Sequence, residues 1–280
     1  MQDSPASRQG IGAGSILRRK ADGAVEAVQD EVAIEEPLEI RIGGSAIATT
    51  MRTPGHDDEL AAGFLLSEAI VRNRADIRAL AACEIPASLG NVLNVELAPH
   101  IKFERGSVQR FGTISSSCGL CGKTSIDFIR QQLPAIDSSA GSVRIHETTL
   151  LDLPARLLVD QGNFARTGGI HAAGIFDLDG NAMVVREDIG RHNAVDKVMG
   201  RALLDGLLPL NQHVLVVSGR SSLEIVQKAL AAGVPIVAAV SAPSSLAVNF
   251  ARESGQTLIG FLRPPTFNVY SHIERVAFDR

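Results

Sequence analysis

The chain has 280 residues, 45% hydrophobic and 21% charged, with a formal net charge of −4, the profile of a globular protein with room for one large domain or two smaller ones. The negative balance argues against sequence-independent nucleic-acid binding, which needs a basic face, but leaves room for a local anion site. No apolar run reaches the roughly 18–20 residues of a membrane span. Three cysteines cannot build a disulfide framework, so a reducing, cytoplasmic location is expected.

In chain order, the opening "MQDSPASRQGIGAGSILRRK" has no continuous apolar stretch of the kind a secretory signal carries, and residues 1–30 are expected to be a disordered tail. The segment "AVEAVQDEVAIEEPLEIRIGGSAIATTMRTPG" alternates apolar and polar residues around a Gly-Gly turn and predicts antiparallel strands. "DDELAAGFLLSEAI" predicts a helix, capped by Asp57 or Asp58, with its early acids at the positive end of the dipole. "NVLNVELA" and "VQRFGTIS" predict strands that lead into "FGTISSSCGLCGKTS", with Cys118 and Cys121, followed by a helical "SIDFIRQQL". The Pro/Ser/Gly-rich stretch near residues 134–144 divides an N-terminal α+β domain (31–140) from a C-terminal α/β domain (141–280).

The second half has a different rhythm. "GGIHAAGIFDLDGNAMVVREDIG" predicts a hairpin turning at "DLDGN", and "RHNAVDKVMGRALLDG" an amphipathic helix. "HVLVVSG", "SSLEIVQKALAAG", "VPIVAAVS", "SSLAVNFARESG" and "QTLIGFLR" then alternate strand and helix. Their strands are unbroken apolar runs, as in a parallel sheet covered on both faces.

Two strand-to-helix turns, "VVSGRSSLE" and "AAVSAPSSLA", share one chemistry. Each puts two serines at a helix start, where unpaired N–H groups and the dipole attract anions. If the strands are neighbours, Ser218, Arg220, Ser221, Ser222, Ser244 and Ser245 meet at the carboxyl edge of the sheet, where open α/β folds bind ligands. The plainer reading is that the serines only cap helices. "VREDIGRHNAVDKV" gathers charges, and its Asp188, His192 and Asp196 are spaced to share a helix face, with an imidazole between carboxylates. Solvated ion pairs at a helix start explain it equally. "GNFARTGGIHAAG" offers Arg166, a Gly168-Gly169 pair and His171, more in keeping with structure than catalysis. Zinc deaminase chemistry needs His-x-Glu and a later Cys-x-x-Cys, and neither follows His171.

Cys118 and Cys121 admit several roles. A structural zinc site needs four Cys or His ligands, and one Cys-x-x-Cys with a distant Cys83 argues against it. Flanking serines and glycines argue against burial. Redox exchange and sulfur transfer both remain, since each needs an exposed thiol of lowered pKa, which Lys123 and a helix start favour.

Six stretches taken together, "RTPGHDDELAAGFLLSEAI", "FGTISSSCGLCGK", "FARTGGIHAAGIF", "REDIGRHNAVDKV", "SGRSSLEIVQKA" and "SAPSSLAV", resemble the formate dehydrogenase accessory sulfurtransferases of the FdhD type, in order from about residue 36 to 280. The resemblance implies a cytidine-deaminase-like three-layer C-terminal domain with a mixed or parallel sheet, beside a smaller α+β domain carrying a mobile Cys-x-x-Cys loop. It implies a cytoplasmic homodimer that takes sulfur from a cysteine desulfurase and passes it to the molybdenum of bis(molybdopterin guanine dinucleotide), for formate dehydrogenase. The cofactor is then a bound substrate recognised through its guanine nucleotide, with no intrinsic metal ion. Cys118 carries the persulfide and Cys121 assists. A loop near the C-terminus binds the cofactor, here Gly260, Phe261, Leu262, Arg263, Pro264, Pro265 and Thr266, with Arg263 placed to meet phosphate. A thiol–disulfide oxidoreductase and a cofactor-binding chaperone without sulfur chemistry are the alternatives.

Overall fold

The computed structural model describes residues 10–83, 90–103, 133–136 and 143–279. Strands β1 (Ile11–Arg19) and β2 (Val25–Ala33) pair antiparallel along their whole length, from Ile11 opposite Ala33 to Arg19 opposite Val25. This corrects the expectation of a disordered tail to residue 30. The ribbon takes in as β2 the start of the segment whose alternation predicts strand, and as β1 the stretch read as tail. It is held by backbone pairing, by an ion pair from Glu31 to Arg166 and by the Ile34 N–H donating to the Gly10 carbonyl at 2.9 Å.

Next come β3 (Glu36–Ile42) and β4 (Ser45–Arg52), turned by Gly43 and Gly44 with φ of 55° and 78°, then α1 (Asp57–Ser67), β5 (Ile77–Ala82) and β6 (Val92–Leu97). The four strands form one sheet in the order β4-β3-β6-β5. Neither Asp57 nor Asp58 caps α1. Its N-cap is His56, in the left-handed region without a side-chain capping bond, and Asp57 instead accepts two hydrogen bonds from Arg52, each of 2.9 Å. Cys118, Cys121 and, Leu133 apart, the strand and helix expected around them lie outside the described residues.

The remainder runs β7 (Ile145–His146), α2 (Glu147–Val159), α3 (Gly162–Thr167), β8 (His171–Asp177), β9 (Ala182–Asp188), α4 (Arg191–Leu204), β10 (His213–Val217), α5 (Leu223–Ala231), β11 (Ile236–Ala239), α6 (Ser245–Glu253), β12 (Thr257–Arg263), β13 (Thr266–Ser271) and β14 (Val276–Ala277). Six strands form a mixed sheet, β13-β12-β11-β10-β8-β9, in which β10, β11 and β12 are parallel. Successive strand residues face opposite ways. Ala173, Ile175, Leu215, Val217, Val237 and Ala239 therefore meet α4, α5 and α6 on one face. Ala172, Phe176, Val214, Val216, Ile236 and Ala238 meet α2 on the other through Leu150, Leu153 and Leu157. Both faces are covered, which is why these strands read as unbroken apolar runs.

The two regions share one core. Leu38, Ile40 and Leu65 belong to the same buried cluster as Val198, Leu215 and Val237. Helices α1 and α4 cross backbone to backbone: a Cβ on Gly63 would stand 1.9 Å from the Asp196 carbonyl oxygen, and one on Gly200 1.8 Å from that of Glu59. No side chain fits at either position.

Candidate functional site

The carboxyl edge of the six-stranded sheet gathers three turns. The turn after β10 and the turn after β11 touch directly: the Ser221 N–H donates to the Ala242 carbonyl at 3.2 Å, and the Ser244 N–H to the Ser221 carbonyl at 3.0 Å. The end of β12 joins them. Its Phe261 N–H donates to the Ser241 carbonyl at 3.1 Å, and Arg263 Nε to the Val240 carbonyl at 2.9 Å. The N-termini of α5 and α6 thus open beside each other, two partial positive charges at one edge. Arg220 and Arg263 are exposed there. Ser221 is fully buried, yet its Oγ makes no hydrogen bond among the described residues.

Not every residue expected at this edge faces a ligand. Ser244 caps α6, its Oγ accepting from the Ala247 N–H at 3.2 Å. Ser222 stands at the N-cap of α5 without capping, its Oγ instead 3.0 Å from His192 Nε2. Ser218 Oγ accepts from the Ala172 N–H at 2.9 Å and keeps its own proton to donate. Residues 260–266 are not one loop. Gly260 to Arg263 belong to β12, the Leu262 side chain is buried in the core, and Gly260 is a close approach, since a Cβ there would stand 2.8 Å from Pro243 Cδ. Phe261, Arg263, Pro264, Pro265 and Thr266 are the exposed members, and Ser245 is exposed at the first position of α6.

A cleft of about 480 Å³ lies beside the turns. Its walls are Pro154, Leu157 and Leu158 of α2, Phe164 of α3, Gly168 and Gly169, and its sheet side holds His171, Ser218 and Val240. Helix α3 is fixed to the sheet by Glu187, whose carboxylate accepts from the Asn163 and Phe164 N–H groups at 2.9 and 2.8 Å. Burial, and then the charges of Arg191, His192 and Arg220, hold the His171 pKa below the usual imidazole range. His192 Nε2 lies 2.9 Å from Glu224 Oε2, and this hydrogen bond lowers the Glu224 carboxyl. One ring nitrogen faces both Ser222 and Glu224, so the three are not a nucleophile–base–orienter relay, which uses both nitrogens.

The expected helix face of Asp188, His192 and Asp196 does not form. Helical geometry begins at Arg191, which leaves Asp188 on the end of β9. Asp188 is wholly buried against Lys197 Nζ at 2.7 Å and accepts from the Thr53 and Gly190 backbone N–H groups and the Asn193 side-chain amide. Asp196 pairs with Lys228 at 2.7 Å, and Arg186 grips Glu59 at 2.6 and 2.8 Å. Burial raises the Glu59 carboxyl, but hydrogen bonds from His56 and Arg186 and the Arg186 charge outweigh it and bring the pKa to about 2. "RTPGHDDEL" and "GRHNAVDK" are therefore two halves of one clamp between α1, β9 and α4. Arg166 belongs to the ribbon contact with Glu31, away from the cleft. Sequence reasoning did not single out Glu224, the walls of α2, or Arg191 as distinct from its neighbours. The acid two residues after a helix-starting serine was the available signal for Glu224. Among the described residues no group of three His, Cys, Asp or Glu side chains is arranged to hold a metal ion, and no helix is long and apolar enough to cross a membrane.

The FdhD/NarQ family model matches residues 33–277. The chain belongs to the FdhD/NarQ family. Relatives named sulfur carrier protein FdhD include one from Streptomyces coelicolor, 49% identical over 263 residues with 92% of this chain and 93% of the relative covered. Another, from Nocardia farcinica, is 50% identical over 252 residues, covering 89% and 88%. A crystal structure described as that of a formate dehydrogenase accessory protein from Desulfotalea psychrophila superposes with a TM-score of 0.74 at 25% identity, covering 96% of this chain and all of that one. The family match begins at the end of β2, so nearly all of the β1–β2 ribbon lies before it.

Proposed function

We propose that this chain is a sulfur carrier that accepts sulfur as a persulfide on Cys118 from a cysteine desulfurase and delivers it to the molybdenum of bis(molybdopterin guanine dinucleotide) for formate dehydrogenase. The observation that carries the reading is the convergence of two helix N-termini, Ser221 with a hydroxyl that has no partner among the described residues, Arg220 and Arg263 at one sheet edge. Such an edge suits a diphosphate, the linkage of this dinucleotide substrate, because backbone N–H groups, dipoles and guanidinium groups all favour phosphate oxygens. Relatives named as sulfur carriers and a structural neighbour described as a formate dehydrogenase accessory protein support it.

In this scheme the Cys118 thiolate attacks the terminal sulfur of the donor persulfide. The donor S–S bond breaks and its cysteine leaves as thiolate, with no net oxidation. Release of that sulfur as sulfide needs two electrons. Cys121 supplies them if its thiolate attacks the Cys118 sulfur, giving a Cys118–Cys121 disulfide that a thiol reductant reopens. Intact-mass measurement after incubation with a desulfurase and cysteine tests the first step. The protein is expected to gain about 32 Da, one persulfide sulfur, and Cys118→Ala to gain nothing. An unmodified wild-type protein refutes the assignment.

A further inference from the structure

Two basic side chains stand against the turn after β10, beside the cleft. His171 opens β8 and lines the cleft with Ser218, and Arg191 opens α4. Both close on Gly219: a Cβ there would stand 3.5 Å from His171 Nδ1 and 3.4 Å from Arg191 Cδ. The Nε of Arg191 is buried and, like Ser221 Oγ, makes no hydrogen bond among the described residues. The buried cations Arg52, Lys197 and Lys228 each end on a carboxylate, and Arg275 on the Gly255 carbonyl and Thr257 hydroxyl. Buried polar groups without partners are costly and uncommon, and a ligand is one of the things that satisfies them.

We infer that Arg191 and His171 form a second wall of the anion site, and that a diphosphate diester bound between this wall and the serine turns draws a proton onto His171. The inference rests on the ligand class proposed above. The groups facing His171 are Arg191 and His192 from α4, Arg220 from the turn after β10, and Asp188 opposite it on β9. Burial, and then the three basic groups among the four, disfavour the charged ring. A bound anion cancels the field of the two arginines and accepts a hydrogen bond from the imidazolium, so the charged ring becomes the favoured form. The proton comes from solvent and no covalent bond changes. His192 is already engaged by Glu224 and Ser222.

The test is calorimetric titration of the full chain with diguanosine diphosphate, whose two phosphates stay singly charged near neutral pH. Titrations run from pH 6 to pH 8 in two buffers of different ionisation enthalpy, which counts protons. Affinity is expected to rise as pH falls, with uptake approaching one proton. His171→Asn is expected to bind with an affinity independent of pH and without uptake. Arg191→Gln is expected to lose about 10- to 100-fold at every pH, the loss of a charge-assisted hydrogen bond, with Arg191→Lys in between. Proton uptake that persists in His171→Asn, pH-independent binding by the wild type, or full affinity in Arg191→Gln each overturns this inference and leaves the ligand class standing. No binding at any pH overturns the ligand class and this inference with it.

Discussion

The clamp between α1 and α4 and the edge of the six-stranded sheet both gather charged and polar residues, and they use them in opposite ways. In the clamp each buried charge meets its partner: Asp188 with Lys197, Glu59 with Arg186, Asp196 with Lys228. At the sheet edge Ser221 Oγ and Arg191 Nε are buried without partners among the described residues, and Arg220 and Arg263 stand exposed. Saturated networks fix the relative placement of elements, and the clamp ties the N-terminal sheet region to the C-terminal one. Unsaturated groups cost stability unless something binds them. On the reading proposed above, the difference separates residues that hold the fold from residues that would meet a ligand, although Gln227 Oε1, beside α1, is also buried without a partner among the described residues.

Mutations that respect this difference ought to fall into two classes. The largest effect is expected from Lys197→Met, which leaves Asp188 buried and uncompensated. Breaking such a pair costs about 3–5 kcal/mol, seen as a lower denaturation midpoint; a loss under 1 kcal/mol would remove Lys197 from the clamp. Next is acid. Glu59 has a folded pKa of about 2, below the 4.5 of an ordinary glutamate, so its contribution is fully present above pH 4.5 and disappears as pH falls towards 2. At about 1.4 kcal/mol per pH unit, this amounts to roughly 3 kcal/mol. Glu59→Gln is expected to flatten the stability profile in that window, and a parallel profile contradicts the assignment.

At the sheet edge the expected losses are in binding. Arg263→Ala is expected to weaken diguanosine diphosphate by about 10- to 100-fold, the range for a hydrogen bond to a charged group, with unchanged affinity removing it from the site. The smallest effect separates the regions best. Ser221→Ala is expected to weaken the same ligand about 2- to 10-fold without lowering the melting temperature, because its hydroxyl has no partner among the described residues to lose. A destabilised variant of unaltered affinity would assign Ser221 to the fold.

The sheet edge was legible because apolar runs ending in Ser-Ser repeat twice, and short connections place such strands side by side. The clamp was read less well. Local spacing put Asp188, His192 and Asp196 on one face, whereas Asp188 is fixed by Thr53 and Lys197, contacts that no spacing within a helix encodes. The β1–β2 ribbon is half legible: the alternation that predicts strand begins at Ala24 and covers β2, whereas "IGAGSILRR" reads as tail and forms β1. Helix α2 carries Pro154 in its interior, a residue that breaks helices in sequence reading, and nothing local announced that its Leu150, Leu153 and Leu157 cover the sheet. Leu262 lies within a run expected to touch ligand, yet the alternation of β12 turns its side chain into the core.

The most direct test of the account follows the sulfur. The protein is loaded with radiolabelled sulfur by a desulfurase, separated from the donor, and mixed with formate dehydrogenase that carries unsulfurated cofactor. The label is expected to leave Cys118, to be recovered on the molybdenum cofactor as activity appears, and to move more slowly when diguanosine diphosphate competes for the sheet edge. Label that stays on the protein while the enzyme becomes active, or equal activation by Cys118→Ala, would contradict the account.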